Sequence, residues 1–389
     1  MRSDVIVVGG GPAGLTAAVS ILDADPSLAG RVRVLEKARY PREKYCAGAI
    51  GGRGEKILAR LGILPKVPGV PIEGMALRVS EGERTVRVGE IGHVVRRIEF
   101  DEGIARLAKD RGVEIVEDAK VEHVEADREG AIVSSSAGTF EARVVVGCDG
   151  VGSVVRKAIG LGPGTLRAQV LELDTESVPG DRERGVIFFD ATDRELPGYT
   201  WDFPTVVGGR ALVCRGIYHL KLGDEQVDLG KKLGERLATM GLDITSYKNK
   251  RFAERGVDVA ETFAKGPLML AGEAAGIDPI TGEGIAQAVE YGSMVGPHVA
   301  LALRGETIIE SWTGRVRRSR LGRDLRIRER LVREFYGPRR PELERVLVAD
   351  ESFVHAGCRH FGALPMDPWP VARALARLGG YFALGVLAS

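Results

Sequence analysis

The strongest constraint on the fold of this chain is a glycine-rich turn that follows an apolar run close to its first residue. Residues 4–9, DVIVVG, predict a buried parallel strand, and residues 12–24 predict a helix with one apolar face. Between them, Gly9 permits a tight turn, Gly11 lets a pyrophosphate approach the backbone, and Gly14 lets the helix pack on the strand. The start of that helix would face the phosphate charge. This segment predicts the first βαβ unit of a dinucleotide-binding domain.

An acidic residue at the end of the next strand supports that prediction. Residues 31–36 form a second predicted strand, and Glu36 closes it about twenty residues after Gly14. A carboxylate at this position can hold the hydroxyl groups of a ribose. The unit by itself does not distinguish FAD from NAD.

Composition narrows the class of protein further. Hydrophobic residues make up 44% of the 389-residue chain and charged residues 28%, as is typical of a globular enzyme with two or three structural units. The net charge of +1 argues against a nucleic-acid partner. The four cysteines and six histidines show no spacing typical of a metal site or a disulfide framework. No apolar run reaches the ~18 residues that span a bilayer, and we recognise no signal peptide, so we expect a cytoplasmic protein without a metal.

A change in the sequence pattern divides the chain into three regions. Residues 113–147 hold four short β runs, and residues 163–260 read as strands of a second sheet. A further predicted helix follows Phe100, with Asp101 as its N-cap. We therefore expect a discontinuous nucleotide-binding domain at 1–70, 90–160 and 265–302, a sheet-based substrate domain at 71–89 and 161–264, and a helical C-terminal region at 303–389.

A second glycine-rich loop at 271–292 leads into a helix near residue 284. Gly282 and Gly284 leave backbone amides exposed at the helix start, which carries about half a positive charge. A reduced flavin is negatively charged on its pyrimidine edge, so such a terminus would stabilise it. The alternative is a helix start with ordinary caps.

With these pieces together, the chain resembles the geranylgeranyl reductase branch of the para-hydroxybenzoate hydroxylase-like flavoproteins from residue 4 to about residue 302. The resemblance implies FAD as cofactor and an α/β fold, with a Rossmann-type FAD-binding domain, an inserted antiparallel-sheet substrate domain and a helical C-terminal region. The motifs that carry it are GGGPAG with Glu36, YPREKYCAGAI at 40–50, GCDGVGSVVRK at 147–157, GYTWDFP at 198–204 and AGEAAGIDPITGEGIAQA at 271–288.

The resemblance also assigns cofactor-binding roles to individual positions. The pyrophosphate would bind to the first glycine turn, and the ribose would bind to Glu36. The isoalloxazine ring would bind to the backbone amides of Gly282, Gly284 and Ile285. Asp149 would lie behind the pyrophosphate. The remaining positions carried over to FAD binding are Gly9, Gly11, Pro12, Ala13, Gly14, Lys37, Arg42, Ala47, Gly48, Arg97, Val121, Gly150, Gly272 and Glu273.

Two of these positions depart from the family pattern. Glu273 stands where the family normally has Asp, so its carboxylate reaches one methylene further toward the FAD ribityl and phosphate groups. Ala47 stands where the family usually has Gly beside the cysteine, which alters the approach of the backbone to the flavin or the substrate.

Cys46 and an aromatic stripe are the candidates for chemistry and substrate binding. The family places the cysteine near the flavin face, where a thiol could donate a proton or shape the pocket. The alternative is a small buried hydrophobic residue. Strand alternation puts Tyr199, Trp201 and Phe203 on one face, either as the wall of an apolar substrate cavity or as an ordinary sheet core.

Two enzymatic hypotheses and a non-catalytic one follow from these motifs. The leading one is reduction of carbon–carbon double bonds in a prenyl chain by hydride transfer from reduced FAD. The second is an FAD-dependent monooxygenase acting on an aromatic or polyketide-like molecule, and the third is a flavin-binding scaffold. The electron donor would be NAD(P)H or a reduced protein, since no second Rossmann fingerprint is present.

The C-terminal region also allows two interpretations. Residues 315–345 hold 12 arginines against 5 acidic residues. One interpretation is a peripheral contact between 315–389 and anionic lipid, which would suit a lipid-like substrate. The other is a solvated helix face, because arginine and glutamate interleave along it.

Overall fold

The computed structural model describes residues 1–223 and 226–388, with side chains described as far as residue 383. The strands are β1 Arg2–Val8, β2 Val32–Leu35, β3 Ala49–Gly51, β4 Gly69–Val79, β5 Gly82–Val95, β6 Glu114–Val116, β7 Val121–Ala126, β8 Ala131–Ser135, β9 Gly138–Gly147, β10 Arg167–Thr175, β11 Val186–Asp190, β12 Gly198–Val207, β13 Arg210–Lys221, β14 Lys250–Arg255, β15 Ala264–Lys265 and β16 Leu268–Leu270. The α-helices are α1 Pro12–Ala24, α2 Gly52–Arg60, α3 Arg97–Asp110, α4 Val154–Ile159, α5 Leu229–Ala238, α6 Ile285–Leu303, α7 Trp312–Arg318, α8 Arg320–Phe335, α9 Arg340–Leu347, α10 Ser352–Phe361 and α11 Pro368–Ala388.

The first sheet is the nucleotide-binding layer predicted from the glycine turn. Its parallel part runs in the order β16-β9-β1-β2-β6, with β1 in the centre. Helix α1 is buried from Pro12 to Leu22 because β2, α3 and α6 all pack around it. The carboxyl end of β1 therefore lies at the middle of the sheet edge, where ligands bind in folds of this kind.

The second sheet runs in the order β14-β10-β13-β12-β11-β4-β5-β3. Its pairs are antiparallel apart from β4 with β11, which run parallel. Alternation gives it two apolar faces. Leu171 and Ile217 pack under α5, whereas Val170 and Tyr218 turn to the opposite face.

The C-terminal helices cover that opposite face. Arg328 of α8 pairs with Asp278 in the second glycine-rich loop. Arg340 of α9 donates to the carbonyl of Leu196 at 2.8 Å and pairs with Glu344 at the same distance. These contacts tie α8 to the second glycine-rich loop and α9 to the segment before β12. Within the described ranges, no helix is long and apolar enough to cross a membrane.

The fold class expected from the sequence is confirmed, with local differences. The β4–β5 hairpin extends past the expected segment 71–89 at both ends, and β3 also belongs to the second sheet.

The prediction of Asp101 as an N-cap is wrong. Helix α3 begins at Arg97, and Asp101 is fully buried one turn inside it, where it pairs with that arginine at 2.6 Å.

Candidate active site

A cavity of about 1130 Å³ joins the two sheets and the C-terminal helices. It begins at the carboxyl end of β1 and continues between the second sheet and α8–α11. All the predicted site residues line it except Gly14 and Gly272, which pack behind its wall. The sequence motifs therefore converge on one chamber, although they lie as far apart as residues 9 and 285.

The first glycine turn has the geometry that its spacing predicts. Gly9 has a φ of +100°, which glycine adopts without strain. A side chain on Gly14 would overlap the carbonyl oxygen of Gly9, so only glycine allows α1 to begin this close to β1. At Gly11 the nearest atoms to an added Cβ are arginine nitrogens at 3.8 Å. That open side of the turn faces the cavity and leaves room for a phosphate group.

Glu36 organises the turn from the next strand. Its Oε2 accepts a hydrogen bond from the N–H of Gly10 at 2.8 Å, and its Oε1 accepts one from the N–H of Ala38 at 3.1 Å. Arg42 lies 3.4 Å from the same carboxylate and donates to the carbonyl of Gly10 at 3.0 Å. The adjacent Lys37 also lines the cavity. The carboxylate keeps free lone pairs, so it can still accept from ribose hydroxyls.

A buried arginine–aspartate pair links this turn to Cys46. Arg97 makes two hydrogen bonds to Asp101, at 2.6 and 2.7 Å, and Arg42 approaches the same carboxylate at 3.2 Å. The Arg97 guanidinium also interacts electrostatically with the Cys46 thiol. Both guanidinium groups lie beside the open side of the turn, each 3.8 Å from an added Cβ on Gly11, where their N–H groups could bind a pyrophosphate.

The second glycine-rich loop begins beside the first glycine turn, since an added Cβ on Gly272 would lie 2.6 Å from the Cβ of Ala13. Glu273 lines the cavity, and its buried Oε1 has no hydrogen-bond partner among the described residues. Asp149 accepts from the hydroxyl of Ser153 and the N–H of Val154, both at 2.6 Å, so it holds the start of α4. Burial raises the pKa of Asp149. The open glycine turn and the nearby Glu273 oxygen, which has no hydrogen-bond partner among the described residues, fit the phosphate and sugar groups of FAD.

Cys46 is held by the second sheet, although it lies in the connection between β2 and β3. Its N–H donates to Oε1 of Glu172 on β10 at 3.0 Å, and the N–H of Gly48 points to its sulfur at 3.4 Å. Burial raises the pKa of the Cys46 thiol, and the positive charge of Arg97 opposes that rise. The thiol therefore faces the cavity in its neutral form. The neighbouring Ala47 also lines the chamber.

The aromatic stripe lies on the cavity face of the second sheet. Tyr199, Trp201 and Phe203 are 8%, 4% and 6% exposed, and all three line the chamber. The ring of Tyr199 stacks on that of Tyr218 at 5.3 Å. Asp202 points to the other face and pairs with Arg236 at 2.6 Å. The same rings are part of the core and of the cavity wall, so the two interpretations of the stripe do not exclude each other, and substrate binding stays a prediction.

Several lining residues were not identified from the sequence. Tyr218, Phe252 and Glu254 reach the chamber from β13 and β14, and their strands carried no motif. Cys148, which no sequence motif singled out, also lines it. The alternation along each strand would have paired Phe252 with Glu254 on one face. The side chains from the C-terminal helices that line the cavity include Ile327, Leu331, Phe335, Leu343, Leu347, Val354, Leu375 and Leu378.

Comparisons with known proteins agree with this geometry. A family described as FAD binding domain matches residues 2–201. Digeranylgeranylglycerophospholipid reductase 1 of Methanopyrus kandleri is 30% identical over 76% of this chain and 80% of its own length. Menaquinone reductase of Mycobacterium tuberculosis is 28% identical over 85% of this chain and 83% of its own length.

A solved structure shares the whole fold. The geranylgeranyl bacteriochlorophyll reductase-like protein from Thermoplasma acidophilum superposes with a TM-score of 0.66 and 20% identity, covering 96% of each chain. The C-terminal helices are therefore part of the shared architecture.

Proposed function

Because the chain belongs to the geranylgeranyl reductase family of FAD-dependent oxidoreductases, we propose that it saturates carbon–carbon double bonds in a prenyl chain or a related apolar substrate. The observation that carries the proposal is the cavity itself. One chamber joins the glycine turns to a long space walled by aromatic and aliphatic side chains. A monooxygenase for a small aromatic molecule would not need that apolar extension.

The apolar extension supplies the affinity for such a chain. Each buried CH₂ group of a prenyl substrate contributes about 0.8 kcal/mol. Tyr199, Trp201 and Phe203 would orient the chain on the sheet side, and α8–α11 would exclude water on the other. A dry chamber also protects a reduced flavin from side reactions.

The chemistry divides between cofactor and protein. When bound, reduced FAD would supply a hydride to one alkene carbon. The chain's own residues hold the cofactor, orient the substrate and supply a proton to the second carbon. Cys46 was the candidate acid at the level of sequence, and its neutral thiol lines the cavity.

We propose that the reducing equivalents come from NAD(P)H or a reduced protein that binds transiently. Mixing the oxidised holoenzyme anaerobically with NADH, with NADPH or with a reduced ferredoxin distinguishes these donors. Bleaching of the flavin absorbance by only one of them identifies the donor class.

We also propose that a lipid surface meets the mouth of the cavity at 366–382. Met366, Leu375 and Phe382 are 44%, 62% and 37% exposed, yet each of them also lines the cavity. Trp369 beside them is 80% exposed. An apolar rim continuous with an apolar chamber suits a substrate that leaves a membrane tail first.

The proposed reaction is tested with a prenyl lipid extract, the holoenzyme and a chemical reductant under anaerobic conditions. We expect mass spectrometry to show products that have gained two hydrogens for each reduced bond. Unchanged lipid masses, together with substrate-dependent oxygen consumption in air, would instead identify a monooxygenase. Absence of both reactions would favour a flavin-binding scaffold.

A further inference from the structure

A buried carboxyl group in the cavity takes no part in the contacts described so far. Glu254 on β14 lines the chamber beside Phe252 and Tyr218. Its Oε2 is buried and makes no hydrogen bond to any residue that the structure describes. That oxygen occupies the space where a side chain on Gly282 would lie. The carboxyl group therefore packs against the loop that is predicted to bind the flavin ring.

The surroundings of Glu254 favour the neutral acid. Burial, reinforced by the negative charge of Glu273, raises the pKa of Glu254 well above its usual value, and only Lys44 opposes this. An unpaired carboxylate in this position would be costly, whereas a carboxylic acid is tolerated. Titratable or charged groups on several neighbouring elements interact electrostatically with Glu254. They are Lys44, Cys46, Glu172, Tyr199, Tyr218, Glu273 and Asp278.

We propose that Glu254 is the acid that protonates the substrate during double-bond reduction, an inference that rests on the function proposed above. One alkene carbon accepts the hydride of reduced FAD, so the alkene gains two electrons and the flavin is oxidised. The second carbon takes the proton of Glu254, and the O–H bond breaks as the C–H bond forms. The carboxylate recovers its proton from water when the saturated product leaves.

Glu254 suits this role better than Cys46. A carboxylic acid is intrinsically far more acidic than a thiol, with reference values of 4.5 and 9.0. Burial raises the pKa of both groups, and the thiol starts from the higher reference value. In addition, the sulfur of Cys46 faces the N–H of Gly48, and its backbone is fixed by Glu172, which suits a residue that shapes the chamber.

The kinetic test uses single turnover of the reduced holoenzyme with a polyprenyl lipid in the absence of oxygen. Glu254→Gln keeps the shape but cannot give a proton, and we expect flavin reoxidation to slow by about 10²–10⁴-fold. Glu254→Asp should restore part of the rate, and FAD affinity should stay within about twofold of the original in both variants. The proposal is overturned if the flavin of Glu254→Gln is reoxidised at the rate of the original protein. If Cys46→Ser then loses the rate completely, Cys46 and not Glu254 is the acid.

A second test does not depend on turnover. Infrared difference spectra of the substrate-free protein at neutral pH should contain the C=O stretch of a protonated carboxylic acid. Because burial also raises the pKa of Asp149, the variants are compared by band intensity. The band should lose intensity in Glu254→Gln and keep its full intensity in the control Glu122→Gln, which removes an exposed carboxylate from β7. If the band is absent from the original protein, or has the same intensity in Glu254→Gln, Glu254 is not a stored acid.

The two tests separate this inference from the function on which it rests. If the original protein does not reduce the lipid, the proposed function fails, whereas the infrared band still reports on Glu254. If the lipid is reduced at the same rate without Glu254, only the present inference fails. The pH profile adds a third check, since the rate should fall as pH rises through the raised pKa of Glu254.

Discussion

At the scale of single residues, Gly11 and Gly14 show how one turn combines binding with packing. Both were predicted from their spacing, but a side chain would meet different surroundings at each. At Gly14 it would overlap the Gly9 carbonyl oxygen, whereas at Gly11 the nearest atoms are 3.8 Å away. Gly14 is therefore needed for the fold, and Gly11 is needed only if a ligand fills the open space.

That difference yields a prediction for Gly11→Ala. The fold should be unaffected because the new methyl group meets only ordinary van der Waals distances. FAD binding should weaken by about 10–100-fold, because the methyl group displaces the pyrophosphate from charged hydrogen bonds to the turn. Isothermal titration of the apoprotein with FAD measures the affinity, and denaturant unfolding measures the stability.

The control for this prediction is Gly162→Ala, at a position with no atom within 4 Å of the added Cβ and outside the cavity wall. It should change neither quantity. Equal FAD affinity in Gly11→Ala and the original protein would contradict the assigned position of the pyrophosphate.

A pH dependence of stability also belongs to the residue scale. The pKa of Glu254 is raised in the folded protein, so this group contributes stability at low pH that is lost as pH rises through the folded value. Above the pKa of the unfolded chain, Glu254 makes the free energy of unfolding fall as pH rises. This contribution should be absent in Glu254→Gln, so the slope of the unfolding free energy against pH should become more positive. Urea unfolding at several pH values measures it, and an unchanged slope would contradict a neutral buried carboxyl.

At the scale of elements, local patterns identified the first sheet well and the cavity cover poorly. The glycine turn, the strands of 113–147 and the start of α6 each carry their own sequence pattern. The faces that α8–α11 turn toward the second sheet have no such motif, because their apolar residues would serve any helical bundle equally well. Asp101 was misassigned for a related reason. An acidic residue near a helix start resembles an N-cap, whereas only the tertiary structure reveals its buried partner Arg97.

The attachment of α9 provides a prediction at this scale. Arg340 is 5% exposed and donates to the carbonyls of Leu196 and Ala191 while pairing with the buried Glu344. Arg340→Ala would leave that carboxylate with only the longer 3.5 Å contact to Arg194, so we expect the free energy of unfolding to fall by about 3 kcal/mol. Chemical denaturation followed by tryptophan fluorescence measures this loss.

The control on the same helix is Arg345→Ala, because Arg345 is exposed. Its effect on unfolding should stay within about 0.5 kcal/mol. Similar losses in the two variants would mean that Arg340 does not anchor the helix.

At the scale of the whole molecule, one chamber runs from the carboxyl end of β1, where we propose that FAD binds, to α11, where we propose that a lipid surface meets it. Sequence reasoning reached the first part because FAD-binding turns have fixed chemistry and spacing. The far end of the chamber has no such motif, because it depends on how the four helices α8–α11 fold back over the second sheet. The arginine-rich stretch illustrates this limit, since Arg328 and Arg340 turn inward as anchors, whereas Arg323, Arg330 and Arg333 are exposed.

The proposed lipid surface gives a prediction at this scale. Replacing Trp369 and Leu375 together by Ser should reduce sedimentation of the protein with vesicles of mixed neutral and anionic lipid by about tenfold, because two exposed apolar side chains leave the interface. Ile132→Ser, at a 47% exposed position on β8, should leave sedimentation unchanged. Equal sedimentation of both variants would contradict the placement of the mouth at the membrane.

The central claim is that the chamber between the two glycine loops holds one FAD, and equilibrium titration tests it most directly. Apoprotein is titrated with FAD while flavin fluorescence and visible absorbance are recorded. We predict saturation at one FAD per chain, with a yellow protein that retains its colour through gel filtration. A protein that stays colourless at saturating FAD, with no change in flavin fluorescence, would contradict the account.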